Sequence, residues 1–379
     1  MTTSRSIRIA YTGGGSGGHI YPLLAVADQI SSLAPKLQTH VSYYYFGKPD
    51  RYAQEFIKRN ITIKKVMSVK LRRYFSISNI IDAIKFPFAC IQAFISMLLV
   101  MPDVLFSKGG TGALPVVLAA WILHVPIFIH ESDSVPGLTN SLSYRLASRA
   151  GVAFTETLDY FTGDNAAVVG NPLRGFLLEP SDITQEQAKK IWGFDPQTPL
   201  ILVLGGSQGA QSINEFMLDN IEQLVESYQV LHQTGAANFN AFKEELAIAS
   251  KNLIEPQKKR YKIIDFFQEN IKDALIAADV VVSRAGSGSL FEIAHFQKRS
   301  IIIPLRESGN DHQAHNAYAY QKEEGGVVIE EENLKPSLFF MELEKILHQP
   351  QRPHEDGKGN FSQSSAAQVI AQEIIRMVS

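Results

Sequence analysis

Polar residues recur in this chain directly after short apolar runs, where a strand would hand over to a helix. The first such place is Thr12–His19, TGGGSGGH, behind the run Ile7–Tyr11. Gly13, Gly15 and Gly18 fit the G-x-G-x-x-G spacing of a turn that lets backbone approach a phosphate. His19 closes that turn at a helix start. An imidazole titrates near neutrality, so His19 is a candidate general base; it also reads as a capping or phosphate-contacting histidine. A second turn holds Gly205, Gly206, Ser207 and Gly209 behind Leu200–Leu204. There a Ser207 hydroxyl can donate to a phosphate oxygen beside free helix N–H groups. A third runs from Ser283 through Arg284, Gly286, Ser287 and Gly288, with Ser287 or Ser289 as helix cap and Glu292 in the early turns. Beyond a strand at Ser300–Ile303, a polar loop opens another helix through Asp311, His312, Gln313 and Asn316. Helix N-termini at the carboxyl ends of adjacent strands attract anions.

Two further groups carry ionisable chemistry. His130-Glu131 ends a strand, with Asp133 and Asn140 close by. The Glu131 carboxylate can accept a substrate hydroxyl proton or bind a sugar hydroxyl; it also reads as a buried acid held by turn N–H groups. Arg174 stands in the turn Gly170-Asn171-Pro172-Leu173-Arg174, and its planar fork suits a leaving diphosphate. A surface arginine after a turn is the plainer reading. A nicotinamide cofactor needs an acid at the end of the second strand, and that strand ends Tyr45-Phe46-Gly47-Lys48, so hydride transfer is disfavoured. No Asp-x-Asp pair and no metal-ligand spacing is present, so the expectation is no metal and no cofactor.

The elements that must carry these groups alternate strand and helix, as in a parallel α/β sheet. The chain has 379 residues, which predicts two domains. Strands are predicted at Ile7–Tyr11, Val41–Phe46, Ile61–Val66, Val104–Phe106, Pro126–His130, Val152–Phe154 and Ala167–Val169. The pattern restarts at Leu200–Leu204 and continues through Gln229–Gln233, Tyr261–Ile264, Val280–Val282, Ser300–Ile303 and Val327–Ile329. The first helix is predicted over Pro22–Ser32. The proline turn sets the expected boundary: a domain over 1–172, a second over 173–350, and an amphipathic helix within 364–379 packing back on the first. A formal net charge of -2 gives no global basic field, so no nucleic-acid partner is expected. The single Cys90 suits a reducing compartment, and the N-terminus shows no apolar signal core.

One stretch differs in character. Lys64, Lys65, Lys70, Arg72 and Arg73 precede an apolar run from Phe75 and Ile77 to Leu99, interrupted by Asp82, Lys85, Pro87 and Gln92. Those interruptions make Ile80–Val100 a poor transmembrane span. Cations beside so much apolar area favour an anionic membrane surface over a core helix.

In order and spacing, GGGSGGHIYP, HESDSVPGLTN, GNPLR, GGSQGAQSIN, SRAGSGSLFEIA and DHQAHNA resemble the MurG family of bacterial N-acetylglucosaminyltransferases. The resemblance spans about Ile7 to Val328. It implies a GT-B fold, α/β with two Rossmann-like domains facing across a cleft. It implies inverting transfer of N-acetylglucosamine from UDP-GlcNAc to the muramoyl 4-hydroxyl of lipid I, giving lipid II, by a peripheral enzyme on the cytoplasmic face of the cell membrane. Carried over by motif, Glu292 binds the ribose hydroxyls, Gln268 lies against the uracil, and Gln313 with His312 contacts the donor sugar. Gly206 and Ser207 touch the diphosphate, Ser16, Gly17 and Gly18 face the reacting centre, and Arg174 stands beside it. Asp133 and Ser287 occupy positions where the family commonly has other residues. A diacylglycerol-type glycosyltransferase and a UDP-GlcNAc epimerase share parts of this signature.

Overall fold

The computed structural model describes residues 6–37, 39–70, 77–206, 209–306, 311–349, 360–362 and 365–378. Ser207, Arg72, Arg73 and Phe75, all named above, lie outside the described residues, as does the side chain of Ile77.

The described residues form two compact units, one running to Gly175 and including the last helix, Ala366–Val378, the other spanning Phe176–Ser362. The first unit is a parallel sheet of seven strands: β1 (Ser6–Gly14), β2 (His40–Phe46), β3 (Ile61–Lys64), β4 (Val104–Gly110), β5 (Ile127–Glu131), β6 (Arg149–Val152) and β7 (Ala166–Val168). Their order is β3-β2-β1-β4-β5-β6-β7, so the wiring reverses between β1 and β4. The second unit repeats the plan with six strands: β8 (Leu200–Leu204), β9 (Gln229–Gln233), β10 (Tyr261–Ile264), β11 (Val280–Ser283), β12 (Arg299–Ile302) and β13 (Val327–Val328). Its order is β10-β9-β8-β11-β12-β13, reversing between β8 and β11. Each reversal splits two crossover loops to opposite faces and leaves a crevice at the carboxyl ends of the strands.

The central strands are buried on both faces, which is why they read as unbroken apolar runs; all five residues of β8 are buried. In the first unit Ile9, Tyr11, Val104 and Phe106 share a core with Ile20, Leu23 and Val26 of the first helix. Ile370, Ala371 and Ile374 of the last helix complete it.

Three expectations shift. The first helix starts at Gly17, not Pro22, so His19 lies inside its first turn. Pro22 therefore falls inside the helix, where it forgoes one hydrogen bond of the ladder. The sixth strand is Arg149–Val152 rather than Val152–Phe154. Pairing with Phe128–Glu131 of β5 sets that register. The helix after β11 has Gly286 as its N-cap with no side-chain cap bond, so neither Ser287 nor Ser289 caps it.

The long helix Ile77–Val100 is sided. Ala89, Ala93, Met97 and Val100 are buried, the last three in one core with Val116, Val117 and Ala120 of the helix Ala113–Ile122. The opposite side carries Ile80, Ile84, Phe88, Ile91, Ile95, Leu98 and Leu99, all exposed, Leu99 to 81%. By length and composition Ile80–Val100 is apolar enough to cross a membrane, with mean hydropathy 1.9 and 22% of its window buried. Asp82, Lys85, Pro87 and Gln92 therefore weigh less on its hydropathy than expected from the sequence.

Candidate active site

In the first unit, His19 sits where β1 and β4 diverge. Ser16 precedes the helix in extended backbone and spends its hydroxyl on the histidine, Oγ lying 3.0 Å from His19 Nδ1, rather than on a helix N–H. Gly110, at the end of β4, has φ +81, and a Cβ there would stand 3.0 Å from His19 Nε2 and 2.6 Å from the Gly14 carbonyl. The imidazole occupies the space that this glycine leaves open. Enclosure and the nearby Lys108 charge hold His19 down to about 4, with Asp133 opposing. The ring is therefore neutral at physiological pH and has a lone pair to accept a proton.

Glu131 is arranged differently from a free base. It is 5% exposed, and its Oε1 accepts the N–H groups of Ser132 at 2.7 Å and Asp133 at 3.0 Å. Its Oε2 accepts Gly137 N–H and Asn140 Nδ2, each at 3.0 Å. Burial and the neighbouring Asp133 raise the carboxyl above its ordinary value, with the Asp133 N–H, the Asn140 amide and Lys108 opposing. A carboxylate has about four lone-pair sites, and these four donors occupy them. Four donors thus tie Glu131 to the loop after β5, the contacts expected of a buried acid held by turn N–H groups. Asp133 lies in that loop, its carbonyl accepting the Thr157 hydroxyl at 2.9 Å. The guanidinium of Arg174 stacks over Tyr21, 5.2 Å from the ring centroid, which brings it to the helix that carries His19 in its first turn.

The second unit carries its residues on the segments that follow β8, β10, β11 and β12. Gly206 has φ +75 with open space around it. Gln233, at the end of β9, donates from Nε2 to the Gly206 carbonyl at 2.9 Å and accepts Phe267 N–H on Oε1 at 3.0 Å. One amide side chain so couples the glycine turn to the segment that carries Gln268. Ser287 opens the helix Ser287–His295, and Glu292 lies, partly buried, on its second turn. Gln313 Oε1 accepts Leu305 N–H at 3.0 Å, and Asn316 Nδ2 donates to the Ala285 carbonyl at 3.2 Å. His312 Nδ1 is buried with no hydrogen-bond partner among the described residues. Asp311 precedes that helix with φ +52, a strained conformation for a residue with a side chain. Arg284 clasps the loops from behind: NH1 donates to the Ile303 and Pro304 carbonyls at 3.2 Å each, and NH2 to Ser212 Oγ at 2.7 Å and Glu331 at 2.5 Å. Among the described residues no cluster of His, Cys, Asp or Glu is suited to a metal ion.

Two family models match the chain, the glycosyltransferase family 28 N-terminal domain over residues 9–152 and the family 28 C-terminal domain over residues 200–374. A Clostridium kluyveri protein named UDP-N-acetylglucosamine–N-acetylmuramyl-(pentapeptide) pyrophosphoryl-undecaprenol N-acetylglucosamine transferase is 34% identical over 341 residues, 89% of this chain and 91% of the relative. The chain belongs to the MurG family of glycosyltransferases. A second member, from Bacillus cereus, is 30% identical over 97% of the chain and 99% of its own length. Among solved structures, MurG of Acinetobacter baumannii superposes with TM-score 0.67 at 22% identity, covering 98% of this chain and 99% of that one. A Neisseria meningitidis UDP-GlcNAc 2-epimerase reaches TM-score 0.63 at 12% identity over 98% and 100% of the two chains, which speaks for the fold alone. As a MurG-family enzyme, the chain has two Rossmann-like α/β units of GT-B type, and it is a glycosyltransferase.

Sequence reading missed Lys108, Gln233 and the Arg284 clasp, because each acts through partners distant in the chain. Only the apolar-to-polar break at the end of each strand could have flagged them. The saturated carboxylate yields a prediction. Glu131→Gln replaces two acceptor oxygens by one and should lower stability by about 1–3 kcal/mol, for buried N–H groups left unmet. Urea denaturation beside transfer assays checks this; a large rate loss at unchanged stability would return Glu131 to the role of base.

Proposed function

We infer that this chain moves N-acetylglucosamine from UDP-GlcNAc to the muramoyl 4-hydroxyl of lipid I, forming lipid II for peptidoglycan. The observation that carries this is the near full-length relationship to transferases named for that reaction, at 34% and 30% identity. The chemistry of the two sites supports it. Inverting transfer needs an acceptor for the hydroxyl proton, stabilisation of the positive anomeric centre, and donors for the departing diphosphate.

In this reading the first unit holds the lipid-linked acceptor and the second holds UDP-GlcNAc. His19, neutral and bonded to Ser16, takes the proton of the attacking hydroxyl. Where Nδ1 carries the ring proton and donates to Ser16 Oγ, Nε2 presents the lone pair. As the new bond forms on the opposite face, the anomeric C–O bond breaks and UDP leaves. Backbone N–H groups at the Gly206–Ser207 turn and at the helix opened by Ser287 receive its charge, and Arg174 supplies a cation. Glu292 binds the ribose hydroxyls, Gln268 the uracil, and Gln313 with His312 the sugar. Ser16, Gly17 and Gly18 line the reacting centre, and Asp133 adds a polar contact to acceptor or sugar.

The apolar side of Ile77–Val100 docks on an anionic membrane surface, making the enzyme peripheral on the cytoplasmic face. Lys64, Lys65 and Lys70 precede it in the chain. Support comes from the seven large apolar side chains exposed on one helix side, an area that water penalises by about 25 cal/mol per Å².

The deciding assay follows radiolabelled N-acetylglucosamine from UDP-GlcNAc onto a short-chain lipid I analogue, with diacylglycerol run in parallel. Label on the lipid I analogue alone is expected; label on diacylglycerol would move the acceptor and keep the donor site. Glu292→Ala should weaken UDP-GlcNAc binding by about 1.5–3 kcal/mol, as for lost charge-assisted hydrogen bonds. Unchanged affinity in titration calorimetry would take Glu292 out of the ribose site. In flotation with anionic vesicles, Phe88→Glu combined with Ile95→Glu should abolish co-migration; retained co-migration would send the docking surface elsewhere.

A further inference from the structure

We propose that Lys108 is the positioning residue of the acceptor half: its ammonium locks His130 and Ser132, and through them sets the Gly170–Arg174 segment and the loop of Glu131 and Asp133 against His19. The proposal rests on reading the first unit as the acceptor half with His19 as its base.

Lys108 lies near the end of β4, two residues before the glycine against which His19 packs, and is 2% exposed. Its Nζ donates to His130 Nδ1 at 2.6 Å and to Ser132 Oγ. A lysine ammonium accepts nothing, so His130 Nδ1 must present its lone pair. The His130 proton is then on Nε2, which donates to the Gly170 carbonyl at 2.8 Å. Ser132 Oγ, having accepted from the lysine, donates onward to Asn171 Oδ1 at 3.3 Å. One cation thereby directs two chains of donors that converge on the adjacent residues Gly170 and Asn171, just ahead of Arg174. The same Ser132 gives its N–H to Glu131 Oε1, so the anchoring of Glu131 and the seating of the lysine share a residue.

Charge adds a second link. Glu131 and Asp133 face Lys108 from the loop after β5 and oppose the burial that lowers it to about 8. His19 faces Lys108 from β4 and Asp133 from the loop after β5, the first lowering it and the second raising it. The lysine thus helps to keep the imidazole in its proton-accepting form. A lysine that served packing alone would be replaceable by an apolar chain of similar length, since buried ionic groups often exchange for hydrophobic ones at no cost.

That distinction makes the test. Lys108→Met keeps the length and removes both charge and donors. With UDP-GlcNAc and a lipid I analogue as substrates, kcat should fall about 10- to 100-fold, as for a reacting group displaced by a fraction of an ångström to one ångström. KM for UDP-GlcNAc should stay within about twofold, because the interactions lost are not those of the donor. The acid limb of the kcat profile should move to higher pH, since removing a cation eases protonation of His19. A folded Lys108→Met enzyme with wild-type kcat and an unmoved acid limb would overturn the proposal. Should that variant fail to fold, Ser132→Ala keeps the cation and cuts the branch to Asn171. It should lower kcat without shifting the acid limb, and a wild-type kcat there would equally overturn the proposal. The base assignment fails separately: His19→Gln with full activity sinks it, while the kcat comparison for Lys108→Met still stands.

Discussion

An ammonium shut away from water has to be met by acceptors, and Lys108 imposes that condition on the loop edge of the first sheet. His130 and Ser132 meet it, and each is thereby fixed in which atom accepts and which donates. Glu131 imposes the mirror condition, and the N–H groups of Ser132, Asp133 and Gly137 with the Asn140 amide meet that. The two buried charges have no direct contact in need of long side chains; Ser132 serves both, through its hydroxyl for one and its N–H for the other. A loop held this way has little freedom to relax. Rigidity of that kind suits a site in which groups must be aimed before the substrate arrives.

The two units share one wiring plan and differ in what they place at the reversal. Parallel strands joined by crossovers deliver every βα loop to the same edge, so both units present glycine turns and helix N-termini there. In the first unit the edge carries a neutral imidazole, a hydroxyl on its Nδ1, and a cation and an acid acting on it in opposite directions. In the second it carries the Gly206 turn and the helix opened by Ser287. The loops of the second unit are fastened by Arg284, whose guanidinium reaches carbonyls after β12 and the Ser212–Glu331 pair. Lysine in one unit and arginine in the other do comparable work. The arginine fork can reach more acceptors at once, while lysine is the compact charge that fits beside a histidine.

Much of this architecture is legible in the sequence, because strands buried on both faces leave unbroken apolar runs. Leu200–Leu204 is read without error for that reason. The glycine turns are legible because few other residues tolerate their backbone. The polar fastenings are not. Lys108 meets His130 and Ser132, 22 and 24 residues away, across a strand pair, and no local spacing marks such a contact. Glu131 illustrates the same limit from the other side. Sequence leaves it balanced between base and anchor, and gives no sign that Gly137 and Asn140, six and nine residues on, donate to its Oε2. The displaced sixth strand has the same origin: the apolar run at Val152–Phe154 is real, but pairing with β5 engages Arg149–Val152. The missing serine cap shows that cap-type residues near a helix start need not cap it, since Gly286 takes the position ahead of Ser287.

The long helix inverts the usual distribution of side-chain size. A helix on the surface of a protein in water normally turns its bulk inward and keeps small or polar groups outside. Here small residues, Ala89 and Ala93, take much of the inward stripe, while isoleucines, leucines and Phe88 face out. Small inward residues let the helix settle closely on its neighbour and leave little apolar area for the core to gain. The larger apolar area is on the outside, where water would oppose it. The apolar run by itself fits a buried helix and a membrane-facing helix, and in the sequence only the neighbouring cations favour the second. The sidedness bears on that choice, because a helix shaped for burial alone would carry its bulk on the buried side. The arrangement therefore favours a medium other than water on the outer face, which is what an enzyme acting on a lipid-linked acceptor would need.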